Sequence, residues 1–278
     1  MNRLKVRQEL ERFFIEDIAS SDLTSQLLFP PDQLGAGRFF MKEEGVFAGE
    51  PIVREGFNLI SEQIKVEFHV QDGAQLTKGE TIATISGPVV SILEGERVIL
   101  NLIQRMSGIA TLTGKAISLL EGSDTKICDT RKTTPGLRMF EKYAVRCGGG
   151  VNHRMTLDGG VMIKDNHIAM FGSIKNAVQH VRKALGPMTK IEVETESVEQ
   201  VKAAVEAKAD IIMFDNRSPQ EIKEMAGLVP DHIATEASGG ITLETLGTYK
   251  DCGVQFISLG ALTHSARGLD ISLELEVD

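Results

Sequence analysis

The first fourteen residues, MNRLKVRQELERFF, mix apolar and charged positions at helical spacing and predict an amphipathic helix. Farther along, Ile64, Val66, Phe68 and Val70 alternate with polar residues at period two, and Asp72-Gly73 and Lys78-Gly79 follow as turn signals. A half-buried sheet is expected there. Ser91 and Glu94 have the spacing of a capping box, and Ile92, Ile99, Ile103, Met106 and Ala110 recur at helical spacing towards Gly114. This predicts a long helix linking two domains.

From about Thr125 the pattern changes to short apolar runs separated by helical stretches, the mark of parallel β/α units. Strands are expected over 126–130, 161–164, 190–195, 210–215, 232–236 and 254–259. Ser197 with Gln200, Ser218-Pro219 with Glu221, and Ser173 ahead of Ile174, Ala177, Val178 and Val181 supply helix starts. The class is α/β, with a barrel as the expected architecture.

With 278 residues and 42% hydrophobic content, the chain can bury a large core. The formal net charge of −9 opposes binding to nucleic acid or an anionic membrane, and no long basic run offsets it. The charged N-terminal helix lacks the unbroken apolar core of a signal peptide or membrane span. Cys128, Cys147 and Cys252 lie far apart without metal-ligand spacing, which fits reduced thiols and a cytoplasmic location.

In a β/α barrel the chemistry sits at the carboxyl ends of the strands. Here those ends carry Arg131-Lys132, Lys164, Glu194, Asp215, Ser238-Gly239-Gly240 and Gly260, nearly all polar, charged or glycine. Asn152-His153-Arg154 follows three glycines that let backbone approach a ligand closely. Five converging cations, Arg131, Lys132, His153, Arg154 and Lys164, imply a bound anion, because an ion taken out of water without a partner costs several kcal/mol. Arginine suits two-point contact with carboxylate or phosphate, and lysine acts as a point charge. Glu192 and Glu194 share a strand face and Asp215 ends the next strand, as expected of salt-bridging partners, of Mg²⁺ ligands or of groups facing a developing cation. The glycine loops at the last two strands suit phosphate held by backbone amides.

The run DTRKTTPGLRMFEKYAVRCGGGVNHRMTLDGGVMIKDNHI, preceded by ERVILNLIQRMSGIAT and followed by EVETES, MFDNRSP, EASGGIT and SLGALTHSA, resembles the quinolinate phosphoribosyltransferases. The likeness extends from EDIASSDLT near residue 16 to the last segment. It implies an N-terminal α/β sandwich over 1–110, joined by about 266–278, and an open α/β barrel of the type II phosphoribosyltransferase kind over 111–265. The implied reaction joins quinolinate and phosphoribosyl pyrophosphate to give nicotinate mononucleotide, CO₂ and pyrophosphate, with Mg²⁺, in de novo NAD biosynthesis. Carried over by motif, Arg131, His153, Arg154 and Lys164 would contact quinolinate, and Arg97 would reach the neighbouring site in a homodimer or an assembly of dimers. Lys132, Glu194 and Asp215 would be catalytic and face the phosphoribosyl donor, the two acids also holding the metal. Ser238, Gly239, Gly240, Gly260 and His264 would complete the phosphate site. Two motifs depart from the family pattern. Thr156-Leu157-Asp158-Gly159 stands where Gly-Leu-x-Asp is usual, and Ser21 precedes Asp22 where glycine is usual.

Other readings stay open on residues alone. Lys164 at a strand end could be a Schiff-base lysine, a role that needs a neutral amine. The turns from Asp72-Gly73 to Lys78-Gly79 resemble those of biotinyl and lipoyl carriers, without a lysine in the modified-turn context. A pyrophosphorylase-like relative associated with molybdenum transport shares part of DTRKT, but the intact MIKDNHI segment argues against it.

Overall fold

The computed structural model describes residues 1–276, so 277 and 278, part of the C-terminal segment expected to join the first domain, lie outside the described residues. The chain divides into two units. The first comprises 1–114, 135–149 and the chain from Ser265. It opens with α1 (Arg3–Ile18), where the Asn2 side chain accepts the amides of Leu4 and Lys5 and Val6, Leu10 and Phe14 form one buried stripe. In α2 (Leu23–Leu28) the Asp22 carboxylate accepts the Ser25 amide, so the acid of the altered SSDLT motif is a helix cap. There follow β1 (Leu34–Met41), β2 (Gly45–Val46), α3 (Glu50–Ile60), β3 (Lys65–Phe68), β4 (Gln75–Leu76), β5 (Thr81–Pro88) and α4 (Val89–Ser118). The long helix therefore exists, but Ser91 does not cap it. Pro88 ends the strand, Val89 is already helical, and Ser91 lies inside the first turn.

The second unit holds 115–134 and 150–264. After β6 (Lys126–Cys128), the chain forms α5 (Arg138–Cys147), which belongs to the first unit. It then runs through β7 (Val161–Ile163), α6 (Asp165–Phe171), α7 (Ile174–Ala184), β8 (Ile191–Thr195), α8 (Val198–Glu206), β9 (Ile211–Asp215), α9 (Pro219–Ala226), β10 (Ala234–Ser238), α10 (Leu243–Leu246), β11 (Phe256–Ser258) and α11 (Ala261–His264). The last strand, β12 (Ile271–Leu275), returns to the first unit. There it pairs with β1 in the antiparallel order β12-β1-β5-β3.

In the second unit six parallel strands run β6-β11-β10-β9-β8-β7, a barrel-like sheet that does not close. Val151 adds one parallel bridge to Cys128 beyond β6. Ser173, Ser197 and Ser218 cap α7, α8 and α9 through the amides of Asn176, Gln200 and Glu221. One expected strand shifts: β10 begins at Ala234, paired with Ile211, because Ile233 is bonded back to Pro230 in a turn. That shift moves Glu236 from the end of a strand to its middle.

Strand alternation sorts the side chains into two sets. Ile191, Val193, Ile212, Phe214, Ala237 and Ile257 are buried apolar positions, whereas Glu192, Glu194, Met213, Asp215, Glu236, Ser238 and Ser258 line cavities inside the sheet's curve.

Candidate active site

The carboxyl ends of the six strands surround one cavity of about 510 Å³. Arg131 and Lys132 enter it from the loop after β6, Arg154 from the loop before β7, and Lys164 from the end of β7. Glu194 of β8 and Asp215 of β9 face them, and Lys164 Nζ forms an ion pair with Glu194. Asp215 accepts a hydrogen bond from Asn216 Nδ2 at 2.7 Å. Burial, reinforced by the nearby Arg131 charge, draws the Arg154 pKa down. An anion in the cavity relieves that repulsion.

Two glycines are required by close approach. At Gly239, φ is +85° and a Cβ would stand 2.5 Å from Asn216 Oδ1. At Gly260 a Cβ would stand 3.1 Å from both His264 Nε2 and Lys132 Cδ, so glycine lets these two side chains converge. Thr263 Oγ1 donates to the Lys132 carbonyl at 2.7 Å and fixes that loop.

Below the rim lies a second layer. Fully buried Asp129 accepts the His153 amide at 2.9 Å and Asn152 Nδ2 at 2.6 Å. His153 Nδ1 accepts the Arg154 amide at 2.8 Å, and its Nε2 lies 3.0 Å from Glu192 Oε2 and 3.6 Å from Glu236 Oε2. Arg154 donates from Nη1 to the Gly160 carbonyl at 2.7 Å. Asp158 is exposed and bonded to Thr156, so the guanidinium is supported by backbone rather than by the displaced acid.

The family model for the N-terminal domain of quinolinate phosphoribosyl transferase matches residues 22–107, and that for the C-terminal domain matches 109–274. The chain belongs to the quinolinate phosphoribosyltransferase family. A probable nicotinate-nucleotide pyrophosphorylase (carboxylating) of Bacillus subtilis is 54% identical over 275 residues, covering 99% of this chain and 95% of that one. The nicotinate-nucleotide pyrophosphorylase (carboxylating) of Mycobacterium leprae is 39% identical over 97% of this chain and 96% of its own length. The crystal structure of NadC from Streptococcus pyogenes superposes with a TM-score of 0.96 at 37% identity, covering 100% of this chain and 99% of that one.

Of the positions drawn from the quinolinate phosphoribosyltransferase motifs, Arg131, Lys132, His153, Arg154, Lys164, Glu194, Asp215, Ser238, Gly239 and Gly240 all line the one cavity. Gly260 and His264 adjoin it through Lys132. Arg97 stands on α4 in the first unit, with its side chain 60% exposed and 3.9 Å from Glu96, and is not among the lining residues. His153 is present, but both its ring nitrogens are engaged by protein atoms. Sequence reasoning gave no role to Asp129 or Glu236, and it put Ser258 with Gly260 in the phosphate-binding loop after the last strand, whereas Ser258 lies in β11 and bonds Glu236. The signal for Glu236 was available: it precedes Ser238 by two residues, as Glu192 precedes Glu194, so each acid shares a strand face with a rim residue.

Proposed function

We infer that this chain transfers the phosphoribosyl group of phosphoribosyl pyrophosphate to quinolinate with decarboxylation, giving nicotinate mononucleotide, CO₂ and pyrophosphate in the de novo synthesis of NAD. The observation that carries this reading is the convergence of Arg131, Arg154 and Lys164 on one cavity with Lys132 and two carboxylates. Three cations suit a dicarboxylate, and arginine provides the two-point contact that such a ligand rewards. Lys132, beside Gly260 and His264, together with the Ser238-Gly239-Gly240 turn, suits the phosphates of the donor.

Positioning is the main contribution of the protein. Holding the pyridine nitrogen in line with the ribose carbon can supply roughly 7–11 kcal/mol in favourable cases. Glu194 and Asp215 face the ribose as positive charge develops and pyrophosphate departs, an electrostatic stabilisation already in place before reaction. The attacking nitrogen carries no proton, so this step needs no general base.

The two acids also fit Mg²⁺, which binds through one or two carboxylates together with substrate phosphates. Both line the cavity, on neighbouring strands. When bound, Mg²⁺ would neutralise charge on the departing pyrophosphate. The enzyme is read as cytoplasmic and as a homodimer or an assembly of dimers, with Arg97 serving the partner's site; the exposure of its side chain supports that role. Among the described residues, no helix is long and apolar enough to cross a membrane.

The test is an assay for nicotinate mononucleotide with quinolinate, phosphoribosyl pyrophosphate and Mg²⁺. Quinolinate should be used far better than nicotinate, which leaves part of the cationic cluster unpaired at a cost of several kcal/mol. Equal use of the two would refute the reading. Mixing Arg97→Ala with Arg131→Ala subunits should restore part of the activity that each lacks, whereas no recovery after proven subunit exchange would refute the shared site.

A further inference from the structure

Two buried acids have no part in the reaction described so far. Glu192 and Glu236 are each about 3% exposed and lie beneath the rim of the cavity, with the imidazole of His153 between them. Their ligand atoms and that of His153 fall within 4.8 Å of one another, close enough for a divalent cation. The tautomer rules that out. His153 Nδ1 accepts the Arg154 amide, so the ring hydrogen sits on Nε2, the atom aimed at both carboxylates, and no lone pair is left there for a metal.

What the layer lacks is hydrogen. Four carboxylate oxygens share two donors, His153 Nε2–H and the Ser258 hydroxyl, which reaches Glu236 Oε1 at 2.6 Å. Glu192 Oε1 is buried with no partner. Two facing buried acids hold one negative charge far more readily than two. Burial and then the Glu192 charge push Glu236 up to about 7, while His153, Ser258 and Lys164 pull the other way. These are the polar and charged groups that face it, from β8, the 151–154 loop, β11 and the end of β7; its neighbour across β9 is Met213. Glu236 and Ser258 both line the substrate cavity, whereas the guanidiniums beside them do not release protons.

We propose that Glu236 is the general acid of the decarboxylation, delivering through the Ser258 hydroxyl the proton that replaces the lost carboxylate. The proposal rests on the transferase reading above. After the pyridine nitrogen has bonded to the ribose carbon, the bond from C2 to its carboxylate breaks. CO₂ leaves, and the electron pair stays on C2 beside the positive ring nitrogen. Once Glu236 is protonated the bond to Ser258 reverses, the carboxyl donating to Oγ and freeing the Ser258 hydrogen, and C2 takes that hydrogen as a proton while Glu236 passes its own to Oγ. Glu236 is left as a carboxylate facing His153 Nε2–H and regains a proton from water when product departs. One solvent proton is consumed per turnover.

Single-turnover reactions with quinolinate, phosphoribosyl pyrophosphate and Mg²⁺, in which pyrophosphate and nicotinate mononucleotide are measured together, test this directly. Wild type forms the two in equal amounts. In Glu236→Gln the ratio of nicotinate mononucleotide to pyrophosphate should fall early in the reaction, with decarboxylation slowed roughly a hundredfold or more. Glu236→Asp should recover part of it, and Ser258→Ala should lower the same ratio. Equal amounts of both products at wild-type rates in folded Glu236→Gln would overturn the proposal. So would proportional loss of both products in all three variants with wild-type circular dichroism, which would make Glu236 part of the site's architecture. Should Glu236→Gln not fold, Ser258→Ala decides alone, and an unchanged ratio overturns the relay. A wild type that releases no pyrophosphate from quinolinate defeats the transferase reading first, and this proposal with it.

Discussion

Asp129 Oδ1 accepts the backbone amide of His153 at 2.9 Å, so a carboxylate at the end of one strand fixes the loop that carries both His153 and Arg154. Its other oxygen takes Asn152 Nδ2 at 2.6 Å. Asp129→Asn keeps the volume but can turn a donor toward one of these donors. A buried donor left unsatisfied costs about 1–3 kcal/mol, so the unfolding free energy should fall by that amount. The KM for quinolinate should rise with it, read in the same preparation.

Gly239 sets a second expectation. Alanine there would place a Cβ 2.5 Å from Asn216 Oδ1, on a backbone with φ +85°. Gly239→Ala should destabilise by about 1 kcal/mol or more and raise the KM for phosphoribosyl pyrophosphate more than that for quinolinate. Gly186→Ala, with nothing within 4 Å of its Cβ, is the control and should change neither.

The raised Glu236 pKa makes stability depend on pH. The folded state binds this proton more tightly than the unfolded chain, whose glutamate titrates near 4.5. The contribution to stability is therefore fully present below 4.5 and is lost as pH rises through about 7. Unfolding free energies measured between these limits should show a decline that Glu236→Gln flattens. An identical slope in the variant would show that other groups govern it.

Lys164 and Glu194 separate stability from function. The Lys164 side chain is 44% exposed, so its ion pair contributes at most about 1 kcal/mol to folding. Lys164→Met should melt close to wild type, yet bind quinolinate at least tenfold more weakly if the cation faces a substrate carboxylate. Isothermal titration with quinolinate alone checks the second point without turnover.

The periodic signals carried much of this structure. Strand alternation and the Ser173, Ser197 and Ser218 caps located the β/α units, because each depends on neighbours within a few residues. The strand-end rule brought Arg131, Lys164, Glu194 and Asp215 to one cavity. The lower layer was less legible. The two-residue spacing to Ser238 puts Glu236 on the inward face, but its mid-strand place depends on the start of β10, which the turn at Pro230 shifts, and an acid on a buried strand face looks like an ion-pair partner until the opposing strand is placed. The role of Asp129 depends on a loop more than twenty residues away. The motif departs from the family pattern at Asp158, and the support of Arg154 comes from the Gly160 carbonyl, invisible in sequence because every residue has one.

The pairing of β12 with β1 has a consequence for synthesis of the chain. All six barrel strands lie between β1 and β12 in the chain, so during synthesis the antiparallel sheet waits for its edge partner while they emerge. The unit that starts first is completed last. Until then β1 presents the open edge of an unfinished sheet, which other chains can pair with, and the time taken to make the stretch between β1 and β12 sets how long that exposure lasts.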